Sequence, residues 1–396
     1  MSEKLIIKNF GPIKDVELEL KRFNVLIGEN ATGKSTVAKL LGFCKYFSNI
    51  EGPYFDEENN EQVNHGIDEI YENLQKWGLS EYIRPHSYVS YECDDYRFVF
   101  DYQWNIGTLN PYSELNKKKG AFLLASYLYP KTNVFRKLIK DYATVVENDA
   151  LIPEFYINFV GKVMDNPFLL FTERGLQSIF SLGKDFSSNL TDPLFRYFVN
   201  VDRITRLFKE ETQIEPLHVY YKNVDGKSVV RKNDEETFVS LHDAASGYKS
   251  LIPIVLLVKY YKDIRRKKKS FIIEEPEQNL FPKAQYELVK FLVEQSFWHN
   301  SFLVTTHSPY ILTSLNNLMY AFELGQHKNR EDKVESVIDN INWLNPKNVS
   351  AYRLLNDGTA RNIIDMKEGL INADEIDEVS NILNDEFDKL IEIEHG

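Results

Sequence analysis

The apolar positions of this 396-residue chain change period along its length, and each change marks an element. Leu5-Ile6-Ile7 reads as a strand and Gly11-Pro12 as a turn, after which Val16, Leu18 and Leu20 alternate with charged residues as a half-buried strand does. Phe23-Asn24-Val25-Leu26-Ile27 is a third strand, followed by a glycine-containing loop and the helix-forming stretch Val37-Ala38-Lys39-Leu40-Leu41. Residues 88–92 and 97–101 read as a β pair joined by the polar turn Cys93-Asp94-Asp95, so an antiparallel subdomain is expected beside a parallel core.

From residue 111 to 215 the pattern is irregularly helical, punctuated by Pro130, Pro153, Pro167 and Pro193 and rich in Phe and Tyr. It sustains no heptads, which predicts a compact helical lobe and not a coiled-coil arm. Asp225-Gly226 then marks a hairpin between residues 218–221 and 228–230. The last third alternates a helix (251–261), a strand (271–273), a helix (282–295) and a strand (302–305), the signature of a parallel sheet with helices on its faces. Near the end, Ile376, Val379, Ile382, Leu383, Phe387, Leu390 and Ile391 share one face of a helix expected to close onto the core. The expected organisation is therefore residues 1–110, a helical insertion over 111–215, and residues 216–396.

Composition narrows the class. Hydrophobic residues make up 43% of the chain and aromatics 13%, enough for a packed interior of one large discontinuous domain or two smaller ones. The two cysteines, Cys44 and Cys93, give no disulfide framework and no zinc cluster. Met1-Ser2-Glu3-Lys4 leads straight into a strand without an apolar signal core, and the densest apolar run, 251–258, is too short to span a membrane. A cytoplasmic protein with no membrane partner is expected. The formal charge of −12 argues against a uniformly basic nucleic-acid binder and leaves a local basic groove open. The basic run Arg265-Arg266-Lys267-Lys268-Lys269 is read as a solvated link before a buried strand.

The chemistry starts at Gly28-Glu29-Asn30-Ala31-Thr32-Gly33-Lys34-Ser35-Thr36, a complete G-x-x-x-x-G-K-[ST] loop with a strand before it and a helix after it. In such a loop backbone N–H groups curl around phosphate oxygens and the helix N-terminus adds a favourable dipole. Lys34 would reach the outer phosphates and Ser35 would ligate Mg²⁺. Hydrolysis then needs a second strand ending in acids, and Phe271-Ile272-Ile273-Glu274-Glu275-Pro276 supplies it. Glu274 is assigned to the metal, through water, and Glu275 to the attacking water. Ala244-Ala245-Ser246-Gly247-Tyr248-Lys249-Ser250 opens an apolar helix, so the Ser246 hydroxyl and Gly247 N–H lie at a helix N-terminus suited to an anion. Ser-Gly pairs also cap helices routinely, so the pair alone decides nothing. His307, in Val304-Thr305-Thr306-His307-Ser308-Pro309, falls just past a buried strand, on the edge where α/β sheets bind ligands, and reads as a γ-phosphate sensor.

Taken in order, these residues resemble the ABC-type ATPase heads of the SMC and OLD group, specifically the AAA-15/AAA-21-like ATPases of bacteria. Ile6-Ile7-Lys8-Asn9-Phe10-Gly11-Pro12-Ile13-Lys14 resembles the group's opening strand and turn. Glu274-Glu275-Pro276-Glu277 with Asn279-Leu280-Phe281-Pro282 resembles its Walker B and D-loop. Ser246-Gly247 resembles its signature, Thr306-His307-Ser308-Pro309 its switch histidine, and Thr172-Glu173-Arg174 a segment frequent in these ATPases.

The resemblance implies an α/β P-loop NTPase of ABC-ATPase-head type with an antiparallel β-subdomain and an inserted helical lobe. It implies Mg²⁺ and two ATP molecules sandwiched in a head-to-tail homodimer, the signature of one copy completing the site of the other. Three features depart from the pattern: Glu274 stands where Asp is usual, Tyr248-Lys249 replaces a Gly-Gln-like ending, and the Q-loop glutamine is open among Gln62, Gln75, Gln103 and Gln177. Turnover is accordingly expected to be slow or gated. OLD-type relatives append a TOPRIM nuclease, and no TOPRIM-like acidic cluster appears here. The leading expectation is thus an ATPase sensor or regulatory subunit in bacterial anti-phage defence, acting with a separate nuclease or toxin. The alternative is a DNA-binding repair or recombination ATPase of the SMC-like class, with a transporter subunit disfavoured.

Overall fold

The apolar run of residues 23–27 becomes the middle of a six-stranded sheet. The structure of the chain, a computed structural model, describes residues 3–49, 73–93, 96–102, 111–113, 116–117, 168–170, 192–265, 269–297, 300–327, 329–365, 367–372, 384–391 and 393. In the central sheet β3 (Phe23–Ile27), β8 (Phe168–Leu170), β13 (Ser270–Glu274), β14 (Ser301–Thr306) and β15 (Val349–Leu354) run parallel, and β16 (Ala360–Asn362) turns back antiparallel to β15. The order is β16-β15-β3-β14-β13-β8. Phe23, Val25, Phe271, Ile272, Ile273, Phe302 and Val304 are all buried, so these strands read as near-continuous apolar runs, broken in β3 by the buried Asn24, as strands covered on both faces do. Parallel strands bring their carboxyl ends to one edge, and the loops after β3, β13 and β14 therefore emerge side by side.

Helix α1 (Lys34–Asn49) packs on β8, β13 and β14. Helix α3 (Ser246–Lys259) begins five residues before the apolar run that predicted it and continues as a π-helical turn over Tyr260–Arg265. Leu251, Ile252, Ile254, Val255, Leu256, Leu257 and Val258 are fully buried, which is why its residues are apolar all round. Helices α4 (Pro282–Phe297) and α5 (Pro309–Gly325) pack against each other, and the short α6 (Glu331–Glu335) packs on α5.

The antiparallel subdomain has the order β2-β1-β4-β5-β6, with β7 also on β5. Its strands are β1 (Glu3–Phe10), β2 (Ile13–Leu20), β4 (Ile83–Glu92), β5 (Tyr96–Tyr102), β6 (Pro111–Ser113) and β7 (Asn116–Lys117). Leu5 and Ile7 face inward, as do Val16, Leu18 and Leu20, with Glu17 and Glu19 between the last three, as the alternation predicts. A smaller sheet, β12-β11-β10-β9, joins β9 (Thr212–Ile214), β10 (Val219–Val224), β11 (Lys227–Lys232) and β12 (Val239–Ser240). Its hairpin turns at Asp225 (φ 49°) and Gly226 (φ 80°), the positive pair of a two-residue type I′ turn.

Within residues 111–215, α2 (Asp192–Thr205) is helical and packs on α3. The same span also sends β6 and β7 to the antiparallel sheet and β8 to the edge of the central sheet beside β13. Strands of two or three residues are too short to show a period. The remainder of the expected lobe, including Thr172-Glu173-Arg174, lies outside the described residues.

Two expectations need correction. The basic run does not end in solvent: Lys269 is buried, its N–H donates to Asn300 Oδ1 (3.1 Å), and its ammonium sits 4.9 Å from the centre of the Tyr261 ring. A long stem and a cation–π contact let a lysine at a strand entrance turn inward. Nor does the described part of the C-terminal helix close onto the core, because Phe387 and Leu390 are more than 60% exposed. An apolar stripe predicts a helix but not what it faces. Ile376, Val379, Ile382 and Leu383 lie outside the described residues.

Candidate functional site

The loop after β3 is shaped by glycines at positions where a side chain has no room. A Cβ on Gly28 would stand 2.6 Å from the Leu354 carbonyl oxygen and 2.9 Å from Thr32 Oγ1. Gly33 has φ +100°, and a Cβ there would meet Pro12 and Ile13 at 3.1 Å, so both conformation and space require glycine. Ala31 also adopts a left-handed conformation (φ 63°). Thr32 Oγ1 donates to the Glu29 carbonyl (2.9 Å), and the exposed Glu29 carboxylate accepts from Asn356 Nδ2 (2.9 Å) in the turn after β15.

Lys34 is the first residue of α1 and arches back over the loop, its Nζ donating to the Gly28 and Glu29 carbonyls, both at 2.8 Å. Burial lowers its pKa from the ordinary lysine value, against an opposing pull from Glu275, Glu277 and Glu274. Ser35 points the other way: its Oγ donates to Glu274 Oε2 at 2.8 Å, across 239 residues of sequence. Thr36 is buried behind them and Asn30 is exposed on the loop.

Glu274 is the last residue of β13 and is 2% exposed. Glu275 leaves the strand with φ +43°, and its N–H donates to the Thr305 carbonyl (2.9 Å). A non-glycine residue held in that conformation carries strain and is redirected out of the sheet plane. Its Oε1 stands 3.2 Å from His307 Nε2, one residue past β14, with both side chains about one-third exposed. Lys34, Ser35, Glu274, Glu275 and His307 therefore converge at the carboxyl edge of the central sheet. The Ser35 hydroxyl and Glu274 carboxylate are hard oxygen donors, a set that fits Mg²⁺ when a triphosphate supplies further oxygens.

Ser246 and Gly247 are not part of this convergence. Ser246 is exposed at the start of α3, and Gly247 packs under the turn after Glu275, where a Cβ would lie 2.8 Å from the Asn279 carbonyl oxygen. Ser250 Oγ lies 3.2 Å from the Gln278 carbonyl, a second tie between α3 and that turn. Of the four glutamines open for the Q-loop, Gln75 is exposed and Gln62, Gln103 and Gln177 lie outside the described residues.

Two residues without a role in the sequence reading belong to the site. Glu277 Oε1 accepts from Thr306 Oγ1 (2.7 Å) and from the His307 N–H (2.9 Å), joining the turn after β13 to the end of β14. Its only signal in the sequence is a third acid after Glu274 and Glu275, because its partners lie about thirty residues further on. Asn356 looks like a turn residue and nothing more, yet it fixes Glu29. Among the described residues, no helix is long and apolar enough to cross a membrane.

The AAA_15 family, described as an AAA ATPase domain, matches residues 1–189 and 176–312 of the chain. No curated protein matches it. Among solved structures, the chain is similar to the SMC head domain from Thermotoga maritima, at 13% identity over 91% of this chain and 98% of that one, with a TM-score of 0.40. It is similar to an SmcHead bound to the C-winged helix domain of ScpA, at 12% identity over 93% and 98% with a TM-score of 0.44. A third is the Smc head domain with an extended coiled coil bound to the C-terminal domain of ScpA, derived from Pyrococcus furiosus, at 10% identity over 97% and 98% with a TM-score of 0.43. Likenesses this distant add nothing to the residue assignments.

Proposed function

The chain belongs to the AAA_15 family of AAA ATPase domains and is an ATPase, and from that premise we propose that it hydrolyses Mg²⁺-ATP in a site completed by a second copy of itself, as a regulatory subunit. The observation that carries this reading is the meeting of Ser35 with Glu274 and of Glu275 with His307 at one sheet edge. Bound Mg²⁺ would neutralise developing charge on the outer phosphates. The chain's own residues do the rest. Loop N–H groups and Lys34 bind the triphosphate, with Lys34 exchanging the Gly28 and Glu29 carbonyls for phosphate oxygens. Ser35 and Glu274 are the residues that would hold the metal.

Glu275 accepts a hydrogen bond from the attacking water and orients it, taking up its proton as the bond to phosphorus forms. His307, 3.2 Å from Glu275, donates toward the γ-phosphate oxygens and keeps the carboxylate aimed. Ser246 and the Gly247 N–H serve the facing copy: Ser246 is exposed at a helix N-terminus, where an anion is favoured. ATP then joins the two copies and its hydrolysis releases them. The finer reading, a cytoplasmic sensor in anti-phage defence coupled to a separate nuclease or toxin, rests on the resemblance to OLD-type ATPases.

The test is Glu275→Gln. It should retain ATP, lose turnover and accumulate as a dimer in the presence of ATP and Mg²⁺. Turnover equal to wild type would refute the role of Glu275. Pull-downs from the native host should recover a nuclease or toxin. DNA-stimulated turnover with steep salt dependence and no protein partner would favour a repair ATPase instead.

A further inference from the structure

A half-buried carboxylate that keeps one oxygen fully buried and unsatisfied needs a reason to be there, and Glu277 is one. Its Oε1 accepts two hydrogen bonds, from Thr306 Oγ1 (2.7 Å) and the His307 backbone N–H (2.9 Å). Its Oε2 is buried with no hydrogen-bond partner among the described residues. An uncompensated carboxylate oxygen costs stability, so the position is not explained by stability alone. The two bonds have a specific geometric effect. His307 lies beyond the last residue of β14, where the ladder no longer fixes the backbone, and Glu277 replaces the missing ladder bond from the opposite turn.

The surroundings strengthen this pin. Thr306 Oγ1 also accepts from the Ser308 N–H (2.9 Å), and Ser308 Oγ donates to Gln285 Oε1 (2.6 Å), whose Nε2 donates to the Leu280 carbonyl (3.0 Å). The three residues 306, 307 and 308 are thus all held by the segment 277–285. That segment also carries Asn279, whose carbonyl rests on Gly247. The Glu277 charge is close enough to act on the Lys34 ammonium.

We infer that Glu277 is a positioning residue for ATP hydrolysis: by fixing the His307 main chain, it holds the imidazole against Glu275. The inference rests on the function proposed above. Glu277 touches neither the phosphates nor the water in this account and acts only through His307, which yields a definite kinetic signature.

The experiment is a double-mutant cycle on the full chain, measuring kcat for ATP and the equilibrium affinity for ATP, with melting temperatures as the check on folding. Glu277→Ala should lower kcat at least about tenfold, as misplacement of a reacting group does, with ATP affinity held within about twofold. In a His307→Ala background, the same change should lower kcat by less than about twofold, because the pinned residue no longer has an imidazole. Glu277→Gln keeps a carbonyl oxygen for both donors and should restore kcat to within about threefold of wild type.

An equal loss in both backgrounds, no loss in either, or a glutamine variant as slow as the alanine variant overturns the inference. Should Glu277→Ala fail to fold, Thr306→Val removes one of the two bonds and must show the same dependence on His307. Unchanged turnover in His307→Ala sinks the parent assignment and this inference together. Turnover lost in His307→Ala but kept in Glu277→Ala sinks this inference alone.

Discussion

Replacing Gly28 by alanine adds one methyl group at the most crowded point of the phosphate loop. The new Cβ would stand 2.6 Å from the Leu354 carbonyl oxygen, where ordinary contact begins at 3.4 Å, so one partner must yield by the difference of 0.8 Å. Neither yields easily. Leu354 closes β15, and β15 and β3 are hydrogen-bonded in parallel register up to Arg353 and Ile27, the residue before Gly28. The second neighbour, Thr32 Oγ1 at 2.9 Å, is itself bonded to the Glu29 carbonyl. The strain therefore falls on the loop, and overpacking of this kind typically costs about 1–3 kcal/mol. A shift approaching 1 Å in groups that grip phosphate lowers productive binding by as much as about 100-fold. Titration of the purified variant with ATP should show an affinity drop of about 10- to 100-fold. Its melting temperature should fall by a few degrees. ATP affinity within twofold of wild type together with an unchanged melting temperature would refute the claim that β15 limits the loop.

Further outcomes follow from the same geometry. Lys34 has its pKa lowered by burial, so the native state binds fewer protons there than the unfolded chain, and stability rises with pH in the window below the ordinary lysine value. The melting temperature of wild type minus that of Lys34→Met should therefore increase from neutral pH toward that value; a flat or falling difference would contradict the burial. Phe387→Ser and Leu390→Ser sit on exposed positions and should change stability by less than about 0.5 kcal/mol in chemical denaturation. Loss of several kcal/mol would place that helix face against the core. Gly247→Ala should leave ATP affinity intact and lower turnover, since its Cβ would stand 2.8 Å from the Asn279 carbonyl oxygen; full turnover would show that the turn can move aside.

Long-range pairing explains what the sequence displayed and what it concealed. The phosphate loop is legible because its chemistry is contiguous: glycines, lysine and serine lie within nine residues, between a strand and a helix. Glu274 and His307 are legible because one ends an apolar strand and the other directly follows one, and parallel strands share one edge. Glu277 is not legible as a partner of His307, because that bond depends on the left-handed conformation of Glu275 (φ 43°), which a glutamate does not announce. β8 escapes notice because three residues carry no period. Lys269 misleads because a charge run looks solvated until a tyrosine ring lies beneath its last member.

The claim that each site needs two copies is tested most directly by mixing two inactive chains, Lys34→Ala and Ser246→Arg, and measuring ATP hydrolysis. A mixed dimer has one site with both defects and one with neither, since the intact Lys34 of one copy faces the intact Ser246 of the other. Random pairing makes half the dimers mixed with one working site each, so the mixture should recover about a quarter of the wild-type rate. A mixture no faster than the sum of its two components would contradict the shared site.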